Sequence, residues 1–290
     1  GYRTGQFLLL GSASNTLLQQ SAESLAGRVS YHELTPFTLD EVGQGALPAL
    51  WLRGGFPESF LAASDRASLT WREDFIRTYL ERDIPSFGLR IPSETLRRFW
   101  TMLAHDQGGL LNAAKLAAGL GVSGQSVARH LDLLVDLMLV RRLPPWHANV
   151  GKRLVKSPKV YIRDAGLTHA LLGLETREAL LGHPVVGGSW EGFCIENLIA
   201  AAPRGTEASF YRSSAGAEID LILKLPDHQL WAIEVKRTTA PKVTRGFHIA
   251  ADDLAVAERL LVYAEDREVP GQGGVRAMPL ANAMDRLRAV

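Results

Sequence analysis

Cysteine is almost absent. Cys194 is the only one in 290 residues, so no disulfide can form within the chain, and its apolar surroundings read as packing in a reducing compartment. No apolar run approaches the roughly 18 residues a membrane span needs, and the longest candidate, Leu131 to Val140, is interrupted by Asp132 and Asp136. No signal-peptide pattern opens the chain, which reads as a soluble, cytoplasmic protein without a membrane partner. Charge of one sign is also lacking. With 32 Lys and Arg against 31 Asp and Glu, the net charge of +1 excludes a global basic field, so nucleic acid must be met by a local patch. Repeats and low-complexity tracts are missing, and 46% hydrophobic residues support real cores, about two or three domains of them. Finally, no G-x-x-x-x-G-K-S/T loop is present, so the chain has no backbone cradle for the phosphates of ATP.

What is present centres on two short segments, Glu218–Leu223 and Trp231–Lys236, separated by Pro226, Asp227 and His228. Both read as strands, and a hairpin folded about Asp227 sets Asp220 nearly opposite Glu234, with Cβ atoms about 4.5–5.5 Å apart. Strict alternation puts Asp220, Glu234 and Lys236 on one face and Ile219, Leu221, Leu223, Trp231, Ile233 and Val235 on the other. Two carboxylates side by side on a half-apolar face repel unless a cation or a proton lies between them. Hard oxygen ligands of this kind suit Mg²⁺ or Mn²⁺ in phosphodiester hydrolysis, with a nearby lysine orienting the water or stabilising charge. An ordinary Glu/Lys pair at a sheet edge is the plain alternative. Upstream, Gly187–Ile199 reads as a helix with Ser189 as its N-cap. Glu191 and Glu196 lie far apart around it, so one of them faces the strands, and Glu191 is favoured.

Asp220 followed by Glu234-Val235-Lys236 resembles the PD-(D/E)xK nuclease superfamily. That resemblance implies Asp220 and Glu234 as metal ligands, Glu191 as a third acidic group and Lys236 as the catalytic lysine. A wider resemblance runs along the chain. Gln6–Leu10 followed by Ser12 and Ser14 is similar to the sensor-1 strand of an AAA-type ATPase. Val29–Pro36, Arg53–Pro57, Thr78–Ile84 and Lys156–Leu167 then follow in the order of a prokaryotic ATPase family whose uncharacterised C-terminal domain is nuclease-like. The resemblance implies the C-terminal part of a longer ATPase, with Ser12 and Ser14 near ATP only in the full-length protein and oligomers formed through the ATPase core. Gly54, Gly55 and Pro57 read simply as a turn before a helix.

Between these ends, Ser93–His105, Asn112–Leu120 and Gln125–Met138 carry helical spacing, Gly121–Ser123 turns between the last two, and Leu139–Leu143 reads as a strand. The arrangement looks like a winged helix, in which Gln125, Ser126 and Arg129 would face DNA. Arg141, Arg142, Lys152, Arg153, Lys156, Lys159 and Arg163 follow closely, and such a cluster could contact phosphates. Arg163 and Asp164 are expected to pair locally.

The expected architecture is therefore α/β: a remnant of an AAA-type core and lid over 1–90, a winged-helix module over 91–165 and a PD-(D/E)xK-like domain over 166–290. The expected function is Mg²⁺-dependent DNA cleavage. The alternative, from another class, is a catalytically silent nuclease-like arm that binds nucleic acid or protein.

Overall fold

The computed structural model describes residues 8, 30, 32–86, 91–146, 154–239 and 242–290. Ser12, Ser14, Lys152, Arg153 and the opening strand apart from Leu8 lie outside them.

The chain is a mixed α/β protein. Its first part is helical: α1 (Leu47–Arg53), α2 (Asp65–Thr78), α3 (Ser93–His105), α4 (Ala113–Leu120) and α5 (Gly124–Asp136), with short helical turns between. Their ends follow capping chemistry. Ser64, Asn112 and Ser123 each accept a bond from the backbone N–H three residues on, satisfying donors that the first turn leaves free. Gly121 closes α4 in the left-handed conformation. Apolar residues at three- and four-residue spacing, among them Leu96, Phe99, Trp100, Leu103, Val127, Leu131 and Leu134, form one buried cluster. A two-stranded antiparallel sheet follows, β1 (Val140–Leu143) paired with β2 (Lys159–Ile162), Val140 opposite Ile162.

After α6 (Ala165–Leu171) and α7 (Val186–Ala201) comes a six-stranded sheet of β3 (Glu207–Arg212), β4 (Glu218–Lys224), β5 (Leu230–Lys236), β6 (Glu258–Tyr263), β7 (Val269–Pro270) and β8 (Arg276–Pro279), in the spatial order β3-β4-β5-β6-β8-β7. β3, β4 and β5 are antiparallel neighbours, whereas β5, β6 and β8 run parallel, with α8 (Arg245–Asp253) as the crossover between β5 and β6. α7 is apolar on nearly every side and is buried accordingly. Together with α9 (Leu280–Arg288) it covers the sheet face formed by Leu221, Leu223, Trp231, Ile233 and Val235, while Phe247 and Ala250 of α8 cover the face of Ile222 and Ala232.

The helical part and the sheet part share surfaces. Pro145 bridges Phe210 and Leu154 bridges Ser213, so segments flanking the β1–β2 connection run along the outer edge of β3. Trp51 of α1 stacks edge-on against Trp190 of α7 at 5.2 Å. Gly188 of α7 lies so near Gln107 that a Cβ there would fall 2.2 Å from its carbonyl oxygen. Asp164 caps α6 through Leu167 N and also accepts from Gly55 N, each at 2.8 Å, so it does not pair with Arg163. Beside it the buried Arg72 guanidinium donates to the Leu52 and Gly166 carbonyls, and burial lowers its pKa to about 10.

The β4–β5 hairpin turns about Asp227, with Leu221 opposite Ile233 and Leu223 opposite Trp231. One detail departs from strict alternation. Ser209 of β3 pairs with Ile222, but Tyr211 pairs with Ile219, so Asp220 and Leu221 together stand opposite Phe210. This bulge leaves Ile219 on the α8 side with Ile222 while Leu221 faces α7.

Candidate functional site

The bulge is where Asp220 leaves the simple face pattern. Its Oδ2 accepts from Val235 N at 3.1 Å, joining β4 to β5 beyond the last backbone pair. Its Oδ1 lies 3.2 Å from the Nζ of Lys159. Lys159 starts β2, 61 residues earlier in the chain, and its ammonium also lies 3.0 Å from Glu191 Oε1 and 3.0 Å from Glu218 Oε1. The ammonium donates hydrogen bonds to Glu191 and Asp220, and Glu218 joins it as an ion pair. Tyr161, two residues along β2, donates its hydroxyl to the same Glu191 oxygen at 2.5 Å.

Beside this cluster Glu234 pairs through Oε1 with Lys236 Nζ at 2.8 Å. Its Oε2 is buried and has no hydrogen-bond partner. Lys236 itself is 40% exposed, so the buried group opens to solvent along this lysine.

Electrostatics tie the two halves together. Burial first, and then the charge of Asp220, pushes the Glu234 carboxyl up to about 8 against the pull of Lys236. Glu191 is raised for the same two reasons, in the same order, against the pull of Lys159 and Tyr161. Burial works to strip the proton from Lys159, but Asp220 and Glu191 outweigh it and hold the ammonium above its ordinary value. Lys236 is raised as well, burial being outweighed by Glu234 and Asp220. Acids with raised pKa values beside lysines held charged within one small volume are the marks of a site tuned for chemistry.

Glu191 and Glu196 thus have separate tasks. Glu191 joins the cluster, while Glu196 is gripped by Arg141 and by Arg163 Nε at 2.9 Å. Those arginines hold its carboxyl below the usual range although burial acts the other way. Ser189 is not an N-cap, because α7 starts at Val186 and carries Ser189 within its first turns. Its Oγ accepts from Trp51 Nε1 at 3.0 Å and lies 2.7 Å from His169 Nε2, whose Nδ1 faces the Leu52 carbonyl at 2.9 Å. All of this is sealed from solvent, and burial lowers the His169 pKa to about 3.

Among the described residues the basic run does not form one open patch. Arg141 and Arg163 face inward to Glu196, Arg142 pairs with Asp132, and Lys159 is only 4% exposed and held by carboxylates. Lys159 is therefore out of reach of a phosphate backbone, because the chain folds β2 against α7 and β4. Arg129 and Lys156 are exposed. Lys159, Tyr161 and Glu218 are the members of the cluster that the strand pattern did not reveal. Glu218 lies two residues before Asp220 and could have been noticed there, whereas nothing in the local sequence announces that Lys159 joins them.

Comparison with known proteins divides the chain in two. Residues 44–178 match the model of a domain of unknown function, DUF8612, and residues 186–283 match that of another, DUF4143. Uncharacterised proteins of Mycobacterium tuberculosis and of Mycobacterium bovis are each 46% identical over 94% of this chain. The chain spans 62% of the length of these relatives. No solved structure matches it.

Proposed function

With the matched regions 44–178 and 186–283 as premise, we propose that the sheet part is a PD-(D/E)xK-type centre for Mg²⁺-dependent hydrolysis of DNA phosphodiesters, carried by an AAA-type ATP-binding protein of the cytoplasm. The observation that carries this reading is the buried, unpartnered Oε2 of Glu234, a carboxyl group that burial and the charge of Asp220 both push up. A buried carboxylate oxygen left without a donor is costly unless a cation or proton meets it, and hard oxygen donors suit Mg²⁺ or Mn²⁺. On this reading Asp220 and Glu234 hold the ion. When bound, it supplies charge on the phosphate and acidifies a water.

The chain's own side chains do the rest. Lys236, charged and partly open to solvent, stands where it can orient the attacking water or stabilise developing negative charge. Glu191, raised by burial and by Asp220, acts as a third acid at the edge of the site. The three helices and the β1–β2 pair support a winged-helix module in which Arg129 and Lys156 meet the DNA backbone, with Gln125 exposed at the start of α5.

A second reading has its own observation. Lys159 already pairs with three carboxylates, which favours a silent nuclease-like arm that binds nucleic acid or protein for an ATP-driven switch. The test is Mg²⁺- or Mn²⁺-dependent nicking of supercoiled, linear and branched DNA by the chain and its Asp220→Ala and Lys236→Ala variants. Cleavage that both folded variants lose supports the nuclease. DNA binding retained by all three without cleavage supports the arm.

A further inference from the structure

Beyond Lys236 the chain carries charge of one sign. Residues 237–245 hold Arg237, Lys242 and Arg245 and no Asp or Glu. All three cations are exposed, and among the described residues no carboxylate pairs with any of them. They differ in this from Arg141, Arg142, Lys159 and Arg163, whose charges are taken up by Glu196, Asp132 and Glu191. Arg237 is also held in place. Its guanidinium lies 5.6 Å over the ring of Trp51, which is 4% exposed, donates to Ser189 and packs edge-on against Trp190. Stacking on a fixed indole occupies one face of the guanidinium and leaves its in-plane N–H donors free for a planar, two-point grip on a phosphate. The Cα of Arg237 is about 3.8 Å from that of Lys236, so those donors stand beside the lysine of the candidate site. Strand alternation puts Arg237 on the α7 face with Ile233 and Val235. Arg245 stands on the other side, because it begins α8, which covers the opposite face. The next residue, Gly246, lies so near Ala217 that a Cβ there would fall 3.1 Å from its Cα, and Ala217 directly precedes β4. Two unpaired arginines from opposite faces thus meet the end of the sheet where β4 starts and β5 stops.

We infer that Arg237, steadied by Trp51, and Arg245 grip backbone phosphates of DNA on either side of the one that Lys236 meets, and so lay the strand across this end of the sheet. The inference rests on the proposed hydrolytic centre for the place of the reacting phosphate, but the two grips stand on their own charge and geometry. Arg237 makes its contact from the helical part's Trp51, so the matched regions 44–178 and 186–283 together shape the substrate surface.

The experiment is equilibrium binding of a fluorescently labelled DNA duplex by the whole chain over a salt series, without divalent metal so that no strand is cut. Arg237→Met keeps an apolar stem on Trp51 and removes the charge. Arg237→Met and Arg245→Met should each lower the salt slope by about one and weaken binding about tenfold at fixed salt, and the double variant should lower the slope by about two. Arg237→Lys keeps the charge but not the stacked fork, and should hold the slope while binding more weakly than the parent. An unchanged slope in Arg237→Met overturns the inference, even where its melting temperature falls, because a residue that only caps Trp51 would act on stability alone. A parent that binds no DNA overturns it too. Slopes that fall while the metal-loaded parent cleaves nothing keep the two grips and remove the nuclease reading, whereas cleavage by the parent with unchanged slopes does the reverse. If Arg237→Met fails to fold, Arg237→Gln takes its place in the same series and decides by the same slope.

Discussion

Glu234→Gln should make the protein more stable at neutral pH even as it removes a carboxyl group from the site. In the folded chain the Glu234 carboxyl is raised from 4.5 to about 8 by burial and by Asp220. An acid with a raised folded pKa gives its full stability below its unfolded pKa and loses it as pH climbs through the folded one, because the folded state binds the proton longer. At about 1.36 kcal/mol per pKa unit, holding on to the proton that the unfolded chain releases costs the fold about 3 kcal/mol at pH 7, against under about 1 kcal/mol at pH 5. His169 acts in the opposite direction over the same range, so the parent's own pH profile mixes both. The difference between parent and variant isolates Glu234. Urea unfolding followed by tryptophan fluorescence at pH 5, 6, 7 and 8 would read it. The gain from Glu234→Gln should grow by about 2 kcal/mol between pH 5 and 7. A difference that stays flat with pH, or a variant less stable than the parent at pH 8, refutes the reasoning.

Other expectations follow from the same contacts. Gly54→Ala places a Cβ 2.1 Å from Asp164 Oδ1 at a φ of +79°, whereas Gly121→Ala meets nothing within 4 Å. The first should cost at least about 3 kcal/mol and the second about 1 kcal/mol in urea unfolding, and equal losses would refute the packing argument. Glu196→Ala leaves Arg141 and Arg163 facing each other without their shared carboxylate and should lower stability by about 2–4 kcal/mol, with double-mutant cycles separating the two arms. His169, lowered to about 3 by burial, contributes stability that is present above about pH 6.5 and is lost as pH falls toward 3. Its ring should stay neutral at pH 5 when followed by NMR titration. If the helical module binds DNA, Arg129→Ala and Lys156→Ala should each lower the salt slope of binding by about one, whereas Arg163→Ala should leave that slope unchanged and act on stability.

Much of the fold was legible because its signals are local. The two ends of α4 are set by Asn112 and Gly121 and the start of α5 by Ser123, and the β4–β5 register follows from the turn at Asp227 and the alternating apolar residues. The bulge at Asp220 was not legible, since an extra residue in one strand is defined only by the strand it faces. Nor was the fate of the basic run. Its sequence density looked like a phosphate-binding surface, but the partners of Arg163, Arg141 and Lys159 lie on α7 and β4, far along the chain. Ser189 stood near a helix start and so resembled a cap, while its actual bond partners, Trp51 and His169, come from two other helices. Long-range charge pairing left no local pattern to read.

The segments at Pro145 and Leu154 that lie along β3 bear on how the chain assembles during synthesis. They leave the ribosome well before Phe210 and Ser213, the residues they pair with, so the helical part must wait with an open strand until the sheet exists to receive it. The sheet part, made alone, would present the bare edge of β3, a template for pairing with other chains. The boundary between the two matched regions is therefore a poor place to cut, and recombinant production should keep residues from at least Pro144 onward with the sheet they close.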